Sequence, residues 1–167
     1  MDGKARHRDQ PRVFVKHRVG APRSAYEFEA AGLNWLAEAE SGCPVPRVIA
    51  LESDRLLIQY ISEVPPSAPA ARNFGAQLAR THAAGAERFG SLPPPVNRAF
   101  IASIPLPSGE WETFGSFYAQ ARLRPLARIA ADRHAITEGD ERSLRVLCDA
   151  LETEDPRLIG PPDGVAR

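Results

Sequence analysis

Residues 11–19 read PRVFVKHRV, an apolar run that carries a lysine near its centre. The valines and the phenylalanine favour extended backbone, and a proline at the start and a glycine after the run mark its ends. The sequence therefore predicts a short β-strand. Because side chains alternate along a strand, Lys16 shares a face with Phe14. The lysine either extends outward along its aliphatic stem or points into a cleft and meets an anion there.

The next segment, from Gly20 to Gly42, reads GAPRSAYEFEAAGLNWLAEAESG and predicts a helix. Ser24 followed by Glu27 matches a capping box, and Gly42 stands where a helix commonly ends. At helical spacing one face of this helix is apolar. Glu29 falls inside that face, which comprises Phe28, Gly32, Leu33, Trp35, Leu36 and Ala39.

The position of Glu29 predicts a partner for it. A carboxylate on a buried face destabilises a fold by several kcal/mol unless a cation and hydrogen bonds meet it. Lys16 is the nearest cation without an assigned role, so the sequence predicts an ion pair between the strand and the helix. The alternative is that Glu29 lies at the edge of the apolar face, near the first turn, where the helix dipole favours a carboxylate.

The segment 47–61 reads RVIALESDRLLIQYI and predicts a β-hairpin. Ser53 and Asp54 interrupt the two apolar runs and form the expected turn. A proline-rich stretch, residues 63–69, follows the second strand and is typical of a linker.

The rest of the chain predicts helices separated by one irregular connection. A helical pattern covers residues 70–85, and residues 88–110, rich in proline and glycine, predict the irregular connection. A longer helix follows over residues 111–133 with a kink at Pro125, and a last helix covers residues 140–152. In the first of these helices Ala71, Phe74 and Leu78 share one face. In the last, the residues expected to point inward are Leu144, Leu147 and Leu151.

The composition is that of a globular protein, with 43% hydrophobic and 25% charged residues, and 21 basic residues balance 21 acidic ones. The arginines of residues 121–133 spread around their helix, so a nucleic-acid partner is not expected. No apolar run could span a bilayer and no signal peptide is recognisable, so we expect no membrane partner and a cytoplasmic location. Cys43 and Cys148 lack neighbouring metal-ligand residues, so no zinc site or disulfide framework is expected.

Five segments, taken in order, resemble the fructosamine kinase (ketosamine-3-kinase) family. They read VFVKHR, FEAAGLNWLAEA, VPRVIALESDRLLIQYI, FGAQLARTHAAGAERFG and FYAQARLRPLARIAADR. The resemblance implies an α+β, protein-kinase-like fold. Residues 1–62 would form a partial N-terminal lobe with a small antiparallel sheet and one helix, residues 63–70 a hinge and linker, and residues 71–167 an incomplete helical C-terminal lobe.

The resemblance also implies a nucleotide site. Lys16 would hold the α- and β-phosphates of ATP, and Glu29 would be its ion-pair partner. Residues Gln59, Tyr60 and Ile61 would form the hinge beneath the adenine. There the carbonyl of Gln59 and the N–H of Ile61 would hydrogen-bond the base.

The reaction implied by the resemblance transfers the γ-phosphate of ATP, with magnesium, to the 3-hydroxyl of a small-molecule or protein-bound ketosamine. The phosphorylated product loses its sugar, so the activity removes glycation. The family's catalytic segment, His-Gly-Asp, occurs nowhere in the sequence, so no catalytic residue and no magnesium ligand is assigned. The strand pair expected before Pro11 is missing or reduced to MDGKARHRDQ. The chain is therefore interpreted as a truncated, inactive form.

Two alternatives stay open at this stage. The chain could be a non-catalytic, pseudokinase-like module that binds nucleotide or a protein partner. It could instead be a relative of the aminoglycoside or choline phosphotransferases, which share this kind of lobe. If the chain is truncated, helical faces left without cover predict self-association, whereas a monomer that melts cooperatively would favour the self-sufficient module.

Overall fold

A computed structural model describes residues 12–153, and expectations about the segments outside that range lie beyond it. The first elements form a three-stranded antiparallel sheet in the order β1-β3-β2. Its strands are β1 (Val13–His17), β2 (Val48–Leu51) and β3 (Arg55–Gln59). The predicted strand and hairpin are thus present. The backbone N–H of Glu52 donates to the carbonyl of Arg55 at 2.9 Å and closes the turn between β2 and β3.

The helix α1 (Arg23–Ala37) follows β1, but the predicted capping box is wrong. The N-cap residue is Pro22, which has no side-chain acceptor, and Ser24 already lies inside the first turn. Glu27 instead accepts a hydrogen bond from Arg23 at 2.8 Å, the ordinary pairing of residues four apart on a helix surface.

The buried face of α1 also differs from the predicted one. It is made of Ala25, Tyr26, Ala30 and Ala31, whereas Leu36 is 45% exposed. Small side chains allow the helix to approach the sheet closely, so the packing selects the alanine-rich face over the face with the larger residues. Glu29 lies between Tyr26 and Ala30 in sequence and so borders this buried face.

The core of the first unit forms where α1 meets β3. Leu56 is fully buried, and it packs with Ile58, Tyr26 and Ala30. Partly buried residues complete this cluster: Ala21, Leu33, Val48 and Leu51. Residues opposite one another in an antiparallel pair share a face, so the register of Phe14 with Ile58 and of Lys16 with Leu56 puts those β1 side chains on the core face of the sheet.

The chain divides into two compact units at His82 and Ala83, within the last turn of helix α2 (Ala68–Ala84). This helix begins inside the stretch predicted as linker and ends before Gly85, which has a φ of +62° and stops it as glycine commonly does. None of its residues is buried, and Phe74, on the predicted shared face with Ala71 and Leu78, is exposed. The hydroxyl of Thr81 accepts the N–H of Cys43 at 2.8 Å and ties α2 to the segment after α1.

The connection predicted to be irregular contains ordered β-structure. Strands β4 (Ala99–Ile101) and β5 (Ile104–Leu106) form an antiparallel hairpin, and Phe89 pairs with Trp111 across a further bridge. Prolines around the hairpin obscured its short apolar runs in the sequence. Ala99 and Leu106 are buried opposite each other, and this pairing fixes the hairpin.

The predicted long helix is present in three parts: α3 (Phe114–Tyr118), a π-helical segment (Ala119–Leu123) and α4 (Arg124–Asp132). Pro125 explains the break, since it cannot donate a hydrogen bond to the carbonyl of Ala121 four residues earlier. The guanidinium of Arg122 donates to that carbonyl instead, at 2.9 Å. The N–H of Arg124 reaches back five residues to Ala119, which widens the helix just before the proline.

The last helix, α5 (Glu138–Glu152), begins two residues before its predicted start. Its inward residues are Cys148 and Ala150, whereas Leu147 is exposed and Leu144 and Leu151 are half-buried, so the predicted leucine face is wrong. Arg124 explains part of this result. It donates to Asp149 at 2.8 Å and to Glu152 at 2.7 Å, and these bonds fix how α4 lies against α5.

A capping box starts α5. The hydroxyl of Thr137 accepts the N–H of Asp140 at 3.2 Å, and the carboxylate of Asp140 accepts the N–H of Thr137 at 2.9 Å. The hydrogen bond from the Thr137 backbone, and then that from its hydroxyl, hold the pKa of Asp140 below its usual value.

We expect Asp140→Asn to lower the thermal midpoint at neutral pH. A carboxylate whose pKa is depressed by folding stabilises the native state above its unfolded pKa of about 3.9, and this contribution is lost as the pH falls through the folded pKa. The midpoint difference between wild type and variant should therefore disappear in acid, which thermal melts followed by circular dichroism will show. Glu138→Gln, in the same first turn, is the control. A difference that persists unchanged in acid would contradict the role of the charge.

The described residues thus form an α+β fold with a small antiparallel sheet and helices, as the sequence predicts. Within residues 12–153, no helix is both long and apolar enough to cross a membrane.

Candidate functional site

Lys16 is directed toward α1 by the register of the sheet. It lies opposite Leu56, and Leu56 packs against α1. The lysine stem therefore emerges on the face of the sheet that α1 covers. Because β1 is at the edge of the described sheet, its side chains are only partly covered, and the Lys16 side chain keeps 38% of its surface exposed.

Glu29 meets Lys16 from the helix side. The ammonium of Lys16 donates to the carboxylate oxygen Oε1 of Glu29, and the Glu29 side chain is 35% exposed. An ion pair in this environment is neither fully desolvated nor freely solvated, so its contribution to stability is small. Its more distinctive effect is geometric, since it holds an ammonium group in one place beside solvent. An anionic ligand can still reach such a group.

Tyr26 positions the two partners, and the sequence analysis missed this role. Its buried hydroxyl accepts the N–H of Arg18 at 2.8 Å and donates to the carbonyl of Arg18 at 3.2 Å. The first turn of α1 is thereby fixed to the chain just after β1, and Glu29 follows Tyr26 by nearly one turn. The sequence shows that Tyr26 shares a helix face with Glu29, three residues later, but not which backbone groups its hydroxyl bonds.

The predicted hinge residues lie together at the end of β3. The N–H of Gln59 donates to the carbonyl of Arg47 at 2.8 Å, and the N–H of Tyr60 donates to the carbonyl of Arg12 at 3.0 Å. The guanidinium of Arg12 lies over the Tyr60 ring, 4.1 Å from its centroid. These contacts fix the backbone up to Tyr60.

Ile61 is exposed, and among residues 12–153 its N–H has no hydrogen-bond partner. A free backbone donor directly after a fixed strand end is what recognition of a planar base edge needs. The structure therefore gives the predicted hinge one accessible donor.

Chemically, the site offers a positioned ammonium group and a free backbone N–H. A phosphate group matches the first and a heterocyclic base the second. In the part of the chain that the structure describes, no group of three His, Cys, Asp or Glu side chains could hold a metal ion. The described residues therefore do not fit a magnesium site.

Comparison with known proteins points to one family. A sequence model described as fructosamine kinase matches residues 4–158. A crystal structure from Thermobifida fusca YX-ER1, described as a fructosamine-3-kinase, is 36% identical with a TM-score of 0.78. The match covers 92% of this chain and 51% of that one. No curated protein sequence matches the chain significantly.

A second structure, from Haemophilus somnus 129PT and described in the same way, shares the fold at 19% identity and a TM-score of 0.68. The match covers 86% of this chain and 48% of that one. The chain thus spans about half the length of both structural relatives. These likenesses confirm the protein-kinase-like fold that the sequence predicts.

Proposed function

Because the chain belongs to the fructosamine kinase family, we propose that it binds ATP, with Lys16 holding the phosphates and Glu29 holding Lys16. The observation that carries this proposal is the ion pair between β1 and α1. It joins a strand lysine to a helix carboxylate in a family whose members are kinases. In kinase-like folds this pair positions the α- and β-phosphates.

The adenine would lie against the hinge of Gln59, Tyr60 and Ile61. The Ile61 N–H would donate to the base and the Gln59 carbonyl would accept from it. Backbone recognition leaves the side chains free to vary, so the glutamine at position 59 is compatible with this role.

The reaction that this site would serve is transfer of the γ-phosphate of ATP to the 3-hydroxyl of a small-molecule or protein-bound ketosamine. The chain's own residues position the nucleotide, while the described residues supply neither a metal site nor the His-Gly-Asp segment. We therefore infer that the chain binds nucleotide without transferring its phosphate. We place it in the cytoplasm, and we expect it to self-associate through its exposed helical residues.

Lys16→Ala is expected to weaken ATP binding by about tenfold or more. A charge-assisted hydrogen bond is worth about 1.5–3 kcal/mol, and about 1.4 kcal/mol corresponds to a factor of ten. Glu29→Gln should weaken binding less, because the lysine keeps its charge but loses its fixed position. Isothermal titration of the 167-residue chain with ATP measures both effects.

A matched control lies on the same helix. Arg23 and Glu27 form another ion pair of α1, at 2.8 Å, away from the proposed site. Arg23→Ala should leave the ATP affinity unchanged. If Lys16→Ala binds ATP as well as wild type does, or if wild type binds none, the proposal is wrong.

A further inference from the structure

A groove runs between the last two helices of the second unit and is called here the α4–α5 groove. It is lined on one side by α4 from Arg124 to Asp132 and on the other by α5 from Glu141 to Cys148, and its volume is about 540 Å³. Clefts of about 300–1,000 Å³ with an apolar lining and a few polar groups are typical of small-molecule sites. The groove is therefore large enough for a small ligand, and it lies wholly within one unit.

Part of the lining is apolar and uncharged. Ala127, Ala131 and Leu144 are half-buried there, and Cys148 is 1% exposed. Burial raises the pKa of the Cys148 thiol, so the thiol stays protonated at neutral pH. The charge in the groove therefore comes from the acidic and basic side chains that line it.

The two helices run antiparallel, and ion pairs join them at one end of the groove. Arg124, at the start of α4, donates to Asp149 at 2.8 Å and to Glu152 at 2.7 Å, both near the end of α5. Residues 133–137 join the opposite ends of the helices. The contact between Arg124 and Asp149 therefore fixes which residues of α4 and α5 face each other further along the groove.

Like charges face each other at the next two levels of the groove. Four residues make about one helical turn, so one turn from that contact Arg128 lies opposite Arg145, the arginine level. One further turn brings Asp132 opposite Glu141, the carboxylate level. At about 1.5 Å per residue, the two levels are about 6 Å apart along the helices. Opposed like charges repel and do not favour the packing of two helices, so stability does not explain this arrangement.

The charged side chains of the two levels are not paired with one another. Arg145 follows Glu141 by four residues, a spacing at which Glu138 and Arg142 do pair on the same helix, at 3.8 Å. Among residues 12–153, however, no side chain of the arginine level or of the carboxylate level forms an ion pair. Both kinds of charge therefore remain available to a ligand.

We propose that the α4–α5 groove binds a small zwitterionic molecule. The arginine level binds its anionic group, the carboxylate level binds its ammonium group, and the apolar lining contacts the chain between them. Two arginines from different helices can hold one anionic group together through charge-assisted hydrogen bonds. A ligand with both charges also relieves the repulsion at both levels, which a ligand with one charge cannot do.

The shape of the site favours a small molecule over a second copy of the chain. In a two-fold symmetric dimer the same surface of each copy meets the other, and here that surface is a groove on both sides. Two concave surfaces do not fill each other, whereas a small molecule fits within one of them. The inference rests neither on family membership nor on ATP binding by Lys16.

The test is a nuclear magnetic resonance titration of the 167-residue chain with 5-aminopentanoate in a buffer of low salt. The extended form of this molecule puts an ammonium and a carboxylate group about one helical turn apart. We expect it to bind about tenfold or more tightly than pentanoate or pentylamine, which each carry one of the two charges. Glycine, whose charges lie too close together to reach both levels, should also bind more weakly.

Two double variants assign each end of the ligand. Arg128→Gln/Arg145→Gln should weaken the binding of 5-aminopentanoate by about tenfold or more, to the affinity of pentylamine. Asp132→Asn/Glu141→Gln should weaken it to the affinity of pentanoate. The arginine variant should leave the thermal midpoint unchanged or raise it, because it removes a repulsion, whereas loss of a structural contact would lower the midpoint. Arg142→Gln, on α5 but outside the groove lining, should leave the affinity unchanged.

Several results would overturn the inference. They are failure of 5-aminopentanoate to bind, binding no tighter than that of its singly charged analogues, and an affinity that the two double variants leave unchanged. A dimer seen by light scattering and lost in both double variants would also overturn it, since a second copy would then be the occupant. Lys16→Ala should bind 5-aminopentanoate as wild type does, which separates this inference from the proposed nucleotide site.

Discussion

Leu56→Ala is expected to destabilise the first unit by about 2–5 kcal/mol, the range for large-to-small changes in a core. Leu56 is fully buried at the centre of the cluster that joins β3 to α1. Its removal leaves a cavity between the sheet and the helix. Because small domains have stabilities of only about 5–15 kcal/mol, a loss of this size should be plain in urea unfolding followed by the fluorescence of Trp35 and Trp111.

Leu57→Ala is the matched control for this prediction. It makes the same chemical change one residue later on β3, where the side chain points to the other face of the sheet and is only half-buried. Its effect should be distinctly smaller. Equal losses from the two variants would contradict the position of the core.

The Leu56 variant also connects the core to the proposed site. Leu56 lies opposite Lys16 in the sheet, and it packs against the helix that carries Glu29. Loss of its side chain should loosen α1 and so weaken ATP binding as well, although Leu56 touches no ligand. The same titration that tests Lys16 measures this effect.

Gly115→Ala should be the most damaging change in the second unit. An added Cβ would overlap the backbone carbonyl oxygen of Leu151, so one of the two backbones must move. Overpacking costs about 1–3 kcal/mol and occasionally more, and a clash with backbone cannot be relieved by rotating a side chain.

The controls for Gly115 are two other helical glycines. A Cβ on Gly32 or Gly75 meets nothing within 4 Å, so alanine there should stabilise the chain by about 0.5–1 kcal/mol through its better helix propensity. Chemical denaturation of the three variants should therefore show changes in the free energy of unfolding that have opposite signs for the same substitution. A destabilisation by Gly32→Ala as large as that by Gly115→Ala would show that the proximity of α3 to α5 is not the cause.

Much of the fold was predictable because short-range signals decide it. The β-run around Lys16, the turn at Ser53 and Asp54, and the break at Pro125 each depend on residues close in sequence. Buried faces were predicted less well. Packing against a small sheet favoured Ala25 and Ala30 over Leu36, because close approach matters more there than side-chain size.

The candidate site, too, was predictable from the sequence only in part. An inward glutamate and a lysine on a neighbouring strand could be recognised from spacing, and the structure brings them together. Tyr26 was missed, because a tyrosine on a helix carries no mark of the backbone groups that it will bond. Its two hydrogen bonds to Arg18 depend on where the chain turns after β1.

By itself, the sequence carried the resemblance to the family in five ordered segments. It also predicted the order of most elements and favoured a pairing of Lys16 with Glu29, because strand alternation, helical spacing and the electrostatic cost of a buried carboxylate are local properties. Only the tertiary structure decided which faces are buried, how the Pro125 break is satisfied by Arg122, and that Gly115 allows α3 to meet α5. These features depend on which atoms come into contact. The sequence does not show those contacts, which are fixed only when the whole core packs.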